Sequence, residues 1–285
     1  MGKKFRSWAR YVFAVLLLVG GALVLLYPIT SRLINERTQT SVAEQFVEDA
    51  GLIDAGVWAQ TLAEAQAYNR ALVNNQPILS DPFSDAQSAG PTVIDLSGIG
   101  DVLGTLEIPR INMKLPIYEG ATDLVLSKGA GWLPGTSFPI GGASTHTVLS
   151  GHRGLPTAKL FSDIVKLEIG DEFFIRNTSD ILAYKVVDIQ IIEPEDVSYL
   201  AIVEGKDKAT LLTCHPYMIN SHRYLVMGER TAYTGQLEEF ATRRRPFDVT
   251  NLSSTQRDFL LAILACTGVA GLIVFVFVRK RKKDE

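Results

Sequence analysis

Two uncharged apolar runs, one near each end, constrain this 285-residue chain more than any other feature. Residues 11–29 read YVFAVLLLVGGALVLLYPI, and residues 259–278 read FLLAILACTGVAGLIVFVFV. A bilayer core about 30 Å thick takes about 20 apolar residues in a helix, so either run is long enough to cross it. A signal peptide is the other reading of the first run. Its length argues for an uncleaved anchor, as does its ending in Tyr27-Pro28-Ile29 without a small-residue cleavage site. Lys3, Lys4, Arg6 and Arg10 precede the first run, and Arg279 to Lys283 follow the second. Basic flanks stay on the cytoplasmic side. The expectation is a cell-membrane protein with spans at 11–29 and 259–278, cytoplasmic tails at 1–10 and 279–285, and residues 30–258 outside. Arg243, Arg244 and Arg245 lie on the outer side in this scheme and oppose it, but the terminal cluster outnumbers them. The net charge of −3 argues against a general nucleic-acid binder.

The outer segment divides by composition. Residues 30–75 form a helical extension: Val42, Phe46, Leu52, Ile53, Val57, Leu62, Ala65, Tyr68 and Leu72 recur at helical spacing, and Gly51 and Gly56 are candidate breaks. Residues 76–100, rich in Pro, Gly, Ser and Asp, read as an irregular loop. From 101 to 232 short apolar runs alternate with turn residues, which predicts a mainly β sandwich or barrel. Asn177-Thr178-Ser179-Asp180 is a candidate hairpin turn, and residues 157–167 a short helix or turn. Residues 233–258 read as a polar connector.

Cys266 falls within the second apolar run, so Cys214 is the one cysteine of the outer segment. An unpaired thiol in an oxidising compartment is a liability unless it is buried or has a chemical role, and this observation alone leaves both open. Three sequences narrow it. THTVLSGHRGLP puts His152 just after an apolar strand, ATLLTCHPY puts Cys214 at the end of another, and NSHRYLVMGER puts Arg223 at the start of the next. Cysteine attack on an amide needs a thiolate, a proton donor for the leaving amine and positive charge for the oxyanion; Cys, His and Arg supply these. Cys214 and Arg223 are close enough in sequence, with Pro216 and Asn220 marking a turn, to lie on adjacent strands. His146, His215 and His222 show that a histidine near a glycine is weak by itself. No pair has zinc-site spacing, and no metal or cofactor is expected.

LSGHRGLPTAKLFSDIVKLEIGD and TLLTCHPYMINSHRYLVMGER resemble the histidine and cysteine-to-arginine segments of class C, pilus-assembling sortases of Gram-positive bacteria. In that family the second segment reads roughly TLxTCTPYxxNTHRLLVxGxR. His215 stands here where Thr is usual, and Ser221 replaces Thr. LGTLEIPRINMKLPIYEG and GAGWLPGTSFPIGG also fit, so the resemblance covers about residues 40–235. It implies a closed sortase-type β-barrel with an N-terminal helical extension and a lid loop, flanked by the two transmembrane helices. The lid would be Asp81-Pro82-Phe83, with Asp81 paired to Arg223 and Phe83 covering Cys214.

The resemblance further implies a cysteine transpeptidase with Cys214 as nucleophile, His152 as acid/base and Arg223 as oxyanion stabiliser. Its partners would be LPXTG-bearing pilin or surface proteins, cleaved through a thioester, and an acceptor pilin lysine. Leu133-Pro134-Gly135-Thr136-Ser137 nearly matches the sorting signal itself, but it lies inside the barrel sequence and reads as a loop. A peptidoglycan L,D-transpeptidase would require Ser/Thr-x-Gly-Cys at the nucleophile, whereas Leu-Leu-Thr precedes Cys214. A non-enzymatic pilus scaffold or adhesive membrane protein would be indifferent to Cys214→Ala.

Overall fold

In a computed structural model, residues 2–75, 79–84, 94, 96, 98–243 and 268 are described. Residues 34–244 form one compact unit. Helix α1 (Gly2–Ala50) runs through Pro28, and α2 (Ala55–Asn74) follows after a short break. The break falls at Gly51 but not at Gly56. Gly56 is instead the second residue of α2, where its N–H and that of Val57 bond the Asp54 carboxylate at 2.8 and 3.2 Å. An N-cap satisfies donors that the first helical turn leaves open, which is why the helix restarts there.

Eight strands follow: β1 (Val102–Ile108), β2 (Met113–Glu119), β3 (Ala130–Trp132), β4 (Thr145–Ser150), β5 (Glu172–Arg176), β6 (Ile181–Ile192), β7 (Asp207–His215) and β8 (His222–Thr231). They close into a barrel in the order β1-β2-β3-β4-β7-β8-β6-β5. Short helix α3 (Asp123–Lys128) lies between β2 and β3, and α4 (Gln236–Arg243) follows β8. The β5–β6 hairpin turns on Asn177, whose Oδ1 accepts from the N–H groups of Ser179 and Asp180 at 3.0 and 2.8 Å.

Alternation sorts the strands' side chains into two sets. Leu149, Leu211 and Val226 join the main core with Leu106, Trp132 and Phe173. Their neighbours Val148, Leu212, Leu225 and Met227 form a second cluster on the opposite face, capped by Leu79, Phe83 and Val197. The helical extension is locked onto the barrel by polar contacts as well as apolar ones. Asn69 on α2 is buried; its Oδ1 accepts from Phe138 N–H at 2.7 Å and its Nδ2 donates to the Phe138 carbonyl at 3.2 Å. Tyr68 meets Trp132 edge-on at 5.9 Å.

Two sequence expectations change, and a third is met in part. The loop read over 76–100 is not all outside the core: Ile94 and Ile99 are buried in the main cluster and Leu96 packs against it, because scattered apolar residues in a Pro/Gly-rich segment carry no period to reveal them. The connector read from 233 opens with α4, whose Leu237 and Phe240, one turn apart, pack on Phe174 and Ala183. Of the two spans, one helix among the described residues, Phe13–Ala50, is long and apolar enough to cross a membrane, a property that an anchor shares with a signal sequence. Its Leu16, Leu17, Leu23 and Val24 are exposed. The second run, 259–278, lies outside the described residues apart from Gly268.

The near-match to a sorting signal at 133–137 is part of the barrel. Thr136 and Ser137 are buried, and the Ser137 carbonyl accepts from the Trp132 indole at 3.0 Å. His146 is likewise structural. Its Nδ1 faces the Ala201 carbonyl at 2.9 Å, so Nδ1 carries the proton and Nε2 accepts from the Thr210 hydroxyl at 2.7 Å. Burial lowers its pKa from 6.5 to about 4. A histidine held neutral on folding contributes fully above the unfolded pKa, and the contribution is lost as pH falls from about 6.5 towards about 4. At about 1.4 kcal/mol per unit this amounts to about 3 kcal/mol. Urea melts of the barrel should therefore weaken between pH 7 and pH 4.5, and His146→Gln should flatten that slope; an unchanged slope would exclude His146 as the source.

Candidate active site

The site is assembled by register. Strands β4 and β7 pair in parallel from Thr145 opposite Asp207 to Ser150 opposite Leu212. Continued two residues further, that register brings position 152 level with 214. Two hydrogen bonds extend the pairing towards this level: Gly151 N–H to the Leu212 carbonyl at 3.1 Å, and the Thr213 hydroxyl to the Gly151 carbonyl at 2.6 Å. On the other side β7 pairs antiparallel with β8, with Cys214 directly opposite Arg223. Cys214 shares its strand face with Leu212, and Arg223 shares its face with Leu225. The two thus stand at the end of the second hydrophobic cluster, on the wall capped by Leu79 and Phe83.

Gly151 is needed for this approach. A Cβ there would lie 2.5 Å from the ring of Phe161, which is fully buried. The strand end carrying His152 can pass over that ring only without a side chain.

The Asp81-Pro82-Phe83 segment covers the site. Asp81 grips Arg223 with both oxygens, Nε to Oδ1 at 2.7 Å and Nη2 to Oδ2 at 2.6 Å. Nη1 donates to the carbonyls of Asn220 and His222 at 2.8 and 2.9 Å. The side chains of this pair are only 8% and 9% exposed. Pro82 is buried. Phe83 stacks 5.3 Å from the Arg223 guanidinium and 5.9 Å from the His152 ring. Phe83 thus lies against His152 and Arg223, the two residues flanking the cysteine.

Electrostatics in this closed arrangement oppose an ion pair between thiolate and imidazolium. Burial raises the Cys214 pKa, Arg223 and Arg153 lower it, and the Asp81 carboxylate raises it. Burial lowers the His152 pKa, and Asp123, with Oδ1 3.4 Å from Nε2, works against that. Asp123 and Arg153 were not singled out from the sequence. Arg153 had a signal in the HRG triplet, but Asp123, the first residue of α3, carried none.

Comparison with known proteins gives the family of the fold. Residues 106–231 match the sortase domain. The chain is 32% identical over 134 residues to sortase D of Bacillus subtilis, covering 46% of this chain and 65% of that protein. It is 31% identical over 130 residues to sortase A of Bacillus anthracis, covering 45% and 59%. The match thus spans about two thirds or less of these curated relatives. Among solved structures, a pilus-related sortase C of Group B Streptococcus is 42% identical, with a TM-score of 0.63 over 68% of this chain and 98% of that one. Sortase C-1 of Streptococcus pneumoniae is 41% identical, also at 0.63, over 68% and 100%. The chain belongs to the sortase family. Sortases are cysteine transpeptidases, and the solved neighbour from Group B Streptococcus is a pilus-related sortase C.

If the 81–83 segment is a lid, removing its grip should expose the thiol. Asp81→Ala and Phe83→Ala should each speed reaction of Cys214 with a small alkylating reagent. The Asp81 change should do more, because it also removes a carboxylate that raises the thiol pKa. Labelling at the wild-type rate in both variants would rule out a lid.

Proposed function

We propose that this sortase is a membrane-anchored cysteine transpeptidase that cleaves an LPXTG-like sorting signal and joins the acyl fragment to an amine, a lysine of a pilin subunit, so as to polymerise pili. The observation that carries the reading is the pairing of Cys214 with Arg223 across β7 and β8, at the level to which the β4–β7 register extends His152.

In this mechanism the Cys214 thiolate attacks the carbonyl carbon of the Thr–Gly bond. Arg223, freed from Asp81, donates to the oxyanion. His152 in its imidazolium form protonates the departing amine as the C–N bond breaks, leaving a thioester on Cys214. The neutral imidazole then takes a proton from the incoming lysine amine. That amine forms the new amide and expels the Cys214 thiolate. The closed arrangement is poorly set for this sequence, because Asp81 and two main-chain carbonyls take four of the five N–H donors of Arg223. Opening of the 81–83 segment is therefore the first step.

The pilin assignment rests on likeness to the pilus-related sortase C of Group B Streptococcus and to a sortase C of Streptococcus pneumoniae described by its pilin substrate specificity. The location follows from the apolar runs: spans at 11–29 and 259–278, the barrel outside the cell, and both termini cytoplasmic.

With LPXTG peptides, Cys214→Ala should abolish cleavage and trapping of a thioester. His152→Ala and Arg223→Ala should each lower the rate by at least about 10²-fold, the scale for loss of one oxyanion donor. Substantial cleavage by Cys214→Ala would sink the assignment. For topology, tags at both termini should be protease-protected in intact cells; cleavage of a C-terminal tag would refute the two-span arrangement.

A further inference from the structure

Arg153, directly after His152, has no part in the mechanism above, yet it is bound to the main chain of the nucleophile. Its Nη1 donates to the Cys214 carbonyl at 3.3 Å and lies 3.1 Å from Nδ1 of His215. A guanidinium can only donate, so His215 accepts at Nδ1 and carries its proton on Nε2. Burial, Arg153 and His222 all favour that neutral ring by lowering its pKa. The guanidinium also rests 5.7 Å from the ring of Tyr217. Its Nε is buried without a hydrogen-bond partner, and Arg153 forms no ion pair among the described residues.

The contrast with Arg223 gives Arg153 its meaning. Two cations, Arg223 and Arg153, act on the thiol, and the Asp81 carboxylate of the covering segment acts against them. Arg223 lowers the thiol pKa more than Arg153 does, but its charge is opposed by the two-oxygen grip of Asp81. Among the described residues no carboxylate pairs with Arg153. The end of β4 supplies this cation and the end of β7 supplies its acceptors, so the register that aligns residues 152 and 214 also fixes Arg153 against residues 214 and 215.

We propose that Arg153 is a positioning residue of the transpeptidase reaction: a second, permanently charged cation, seated by the Cys214 carbonyl and the neutral ring of His215, that stabilises the Cys214 thiolate. This rests on Cys214 being the nucleophile. It gives His215, which stands where the family pattern has Thr, a role as the seat of that cation.

The test is the pH dependence of Cys214 alkylation by iodoacetamide in the full chain in detergent, read on the peptide containing Cys214 so that Cys266 does not contribute. This reading is independent of peptide cleavage, so its failure is distinct from failure of the proposed function. Arg153→Gln should raise the alkylation midpoint by a resolvable fraction of a pH unit, since Arg153 is the smaller of the two cations acting on the thiol. Arg153→Lys, which keeps the charge, should stay near the wild-type midpoint. His215→Ala should raise the midpoint by less than Arg153→Gln, since the cation remains but loses its seat. If Arg153→Gln does not fold, the rise in His215→Ala decides. Equal midpoints in wild type and Arg153→Gln, or in wild type and His215→Ala where only that variant folds, would overturn the proposal. So would equal shifts in the Gln and Lys variants, which would mean a structural role without an electrostatic one.

Discussion

Parallel pairing of β4 with β7 is the constraint on which the site depends. Parallel neighbours cannot be joined by a tight turn and need a long connection; here β5, β6 and the segment around residues 197–200 lie between them in sequence. The reward is that two strand ends, far apart in the chain, point the same way and finish at the same level. A hairpin cannot do this, since its two strands run in opposite directions. The β7–β8 hairpin supplies the complementary contact, in which a short turn sets Arg223 opposite Cys214. One strand therefore carries the thiol, and its two neighbours deliver the histidine and the arginine to it. A one-residue slip on either side would turn a functional side chain to the wrong face. The six paired positions of β4–β7 and the eight of β7–β8, mostly buried, make that slip expensive.

The Asp81–Arg223 grip has a different energetic character. Fork-to-fork carboxylate–guanidinium bonds are strong and directional, and this pair is nearly shielded from water. A buried ion pair nevertheless gives up the hydration of both ions, so its net worth against the separated, solvated ions is small. Removing only one partner is costly, about 3–5 kcal/mol, because a charge stays buried alone. If the segment opens as proposed, the two statements together describe a gate. Moving the whole segment returns both ions to water and is tolerable, whereas partial movement that strands Arg223 is not. Phe83 strengthens this all-or-none behaviour, since it touches both His152 and Arg223 and must leave with Asp81.

Much of this was legible in the sequence, for reasons that can be named. Strand-end positions of His152, Cys214 and Arg223 followed from apolar runs that stop at Gly151, Pro216 and Asn220. The turn at Asn177 followed from its side chain's capacity to cap a hairpin. What stayed hidden was long-range. Closure of the barrel through β1 and β5 has no local signature. Nor does the hold of Asn69 on Phe138, 69 residues away. Helix α4 was missed because eight residues with two apolar anchors resemble a polar linker. Resemblance to known sortases pointed to an Asp81–Arg223 pair. Its burial depends on how far the covering segment sinks, which no residue pattern expresses.

A single movement of that segment would change three properties of the thiol together. Access is the obvious one. Acidity is the second: Asp81 raises the Cys214 pKa, so its departure favours the thiolate. Oxyanion stabilisation is the third, because the same departure frees Nε and Nη2 of Arg223. A thiol is attacked by oxidants mainly as its thiolate. On the extracellular side proposed for it, a closed site that is covered and also less acidic is guarded twice. Arg153 sets the limit of that guard, since its charge remains when Asp81 is in place. It keeps the closed thiol from becoming wholly inert, so that opening need supply only the remaining difference in acidity.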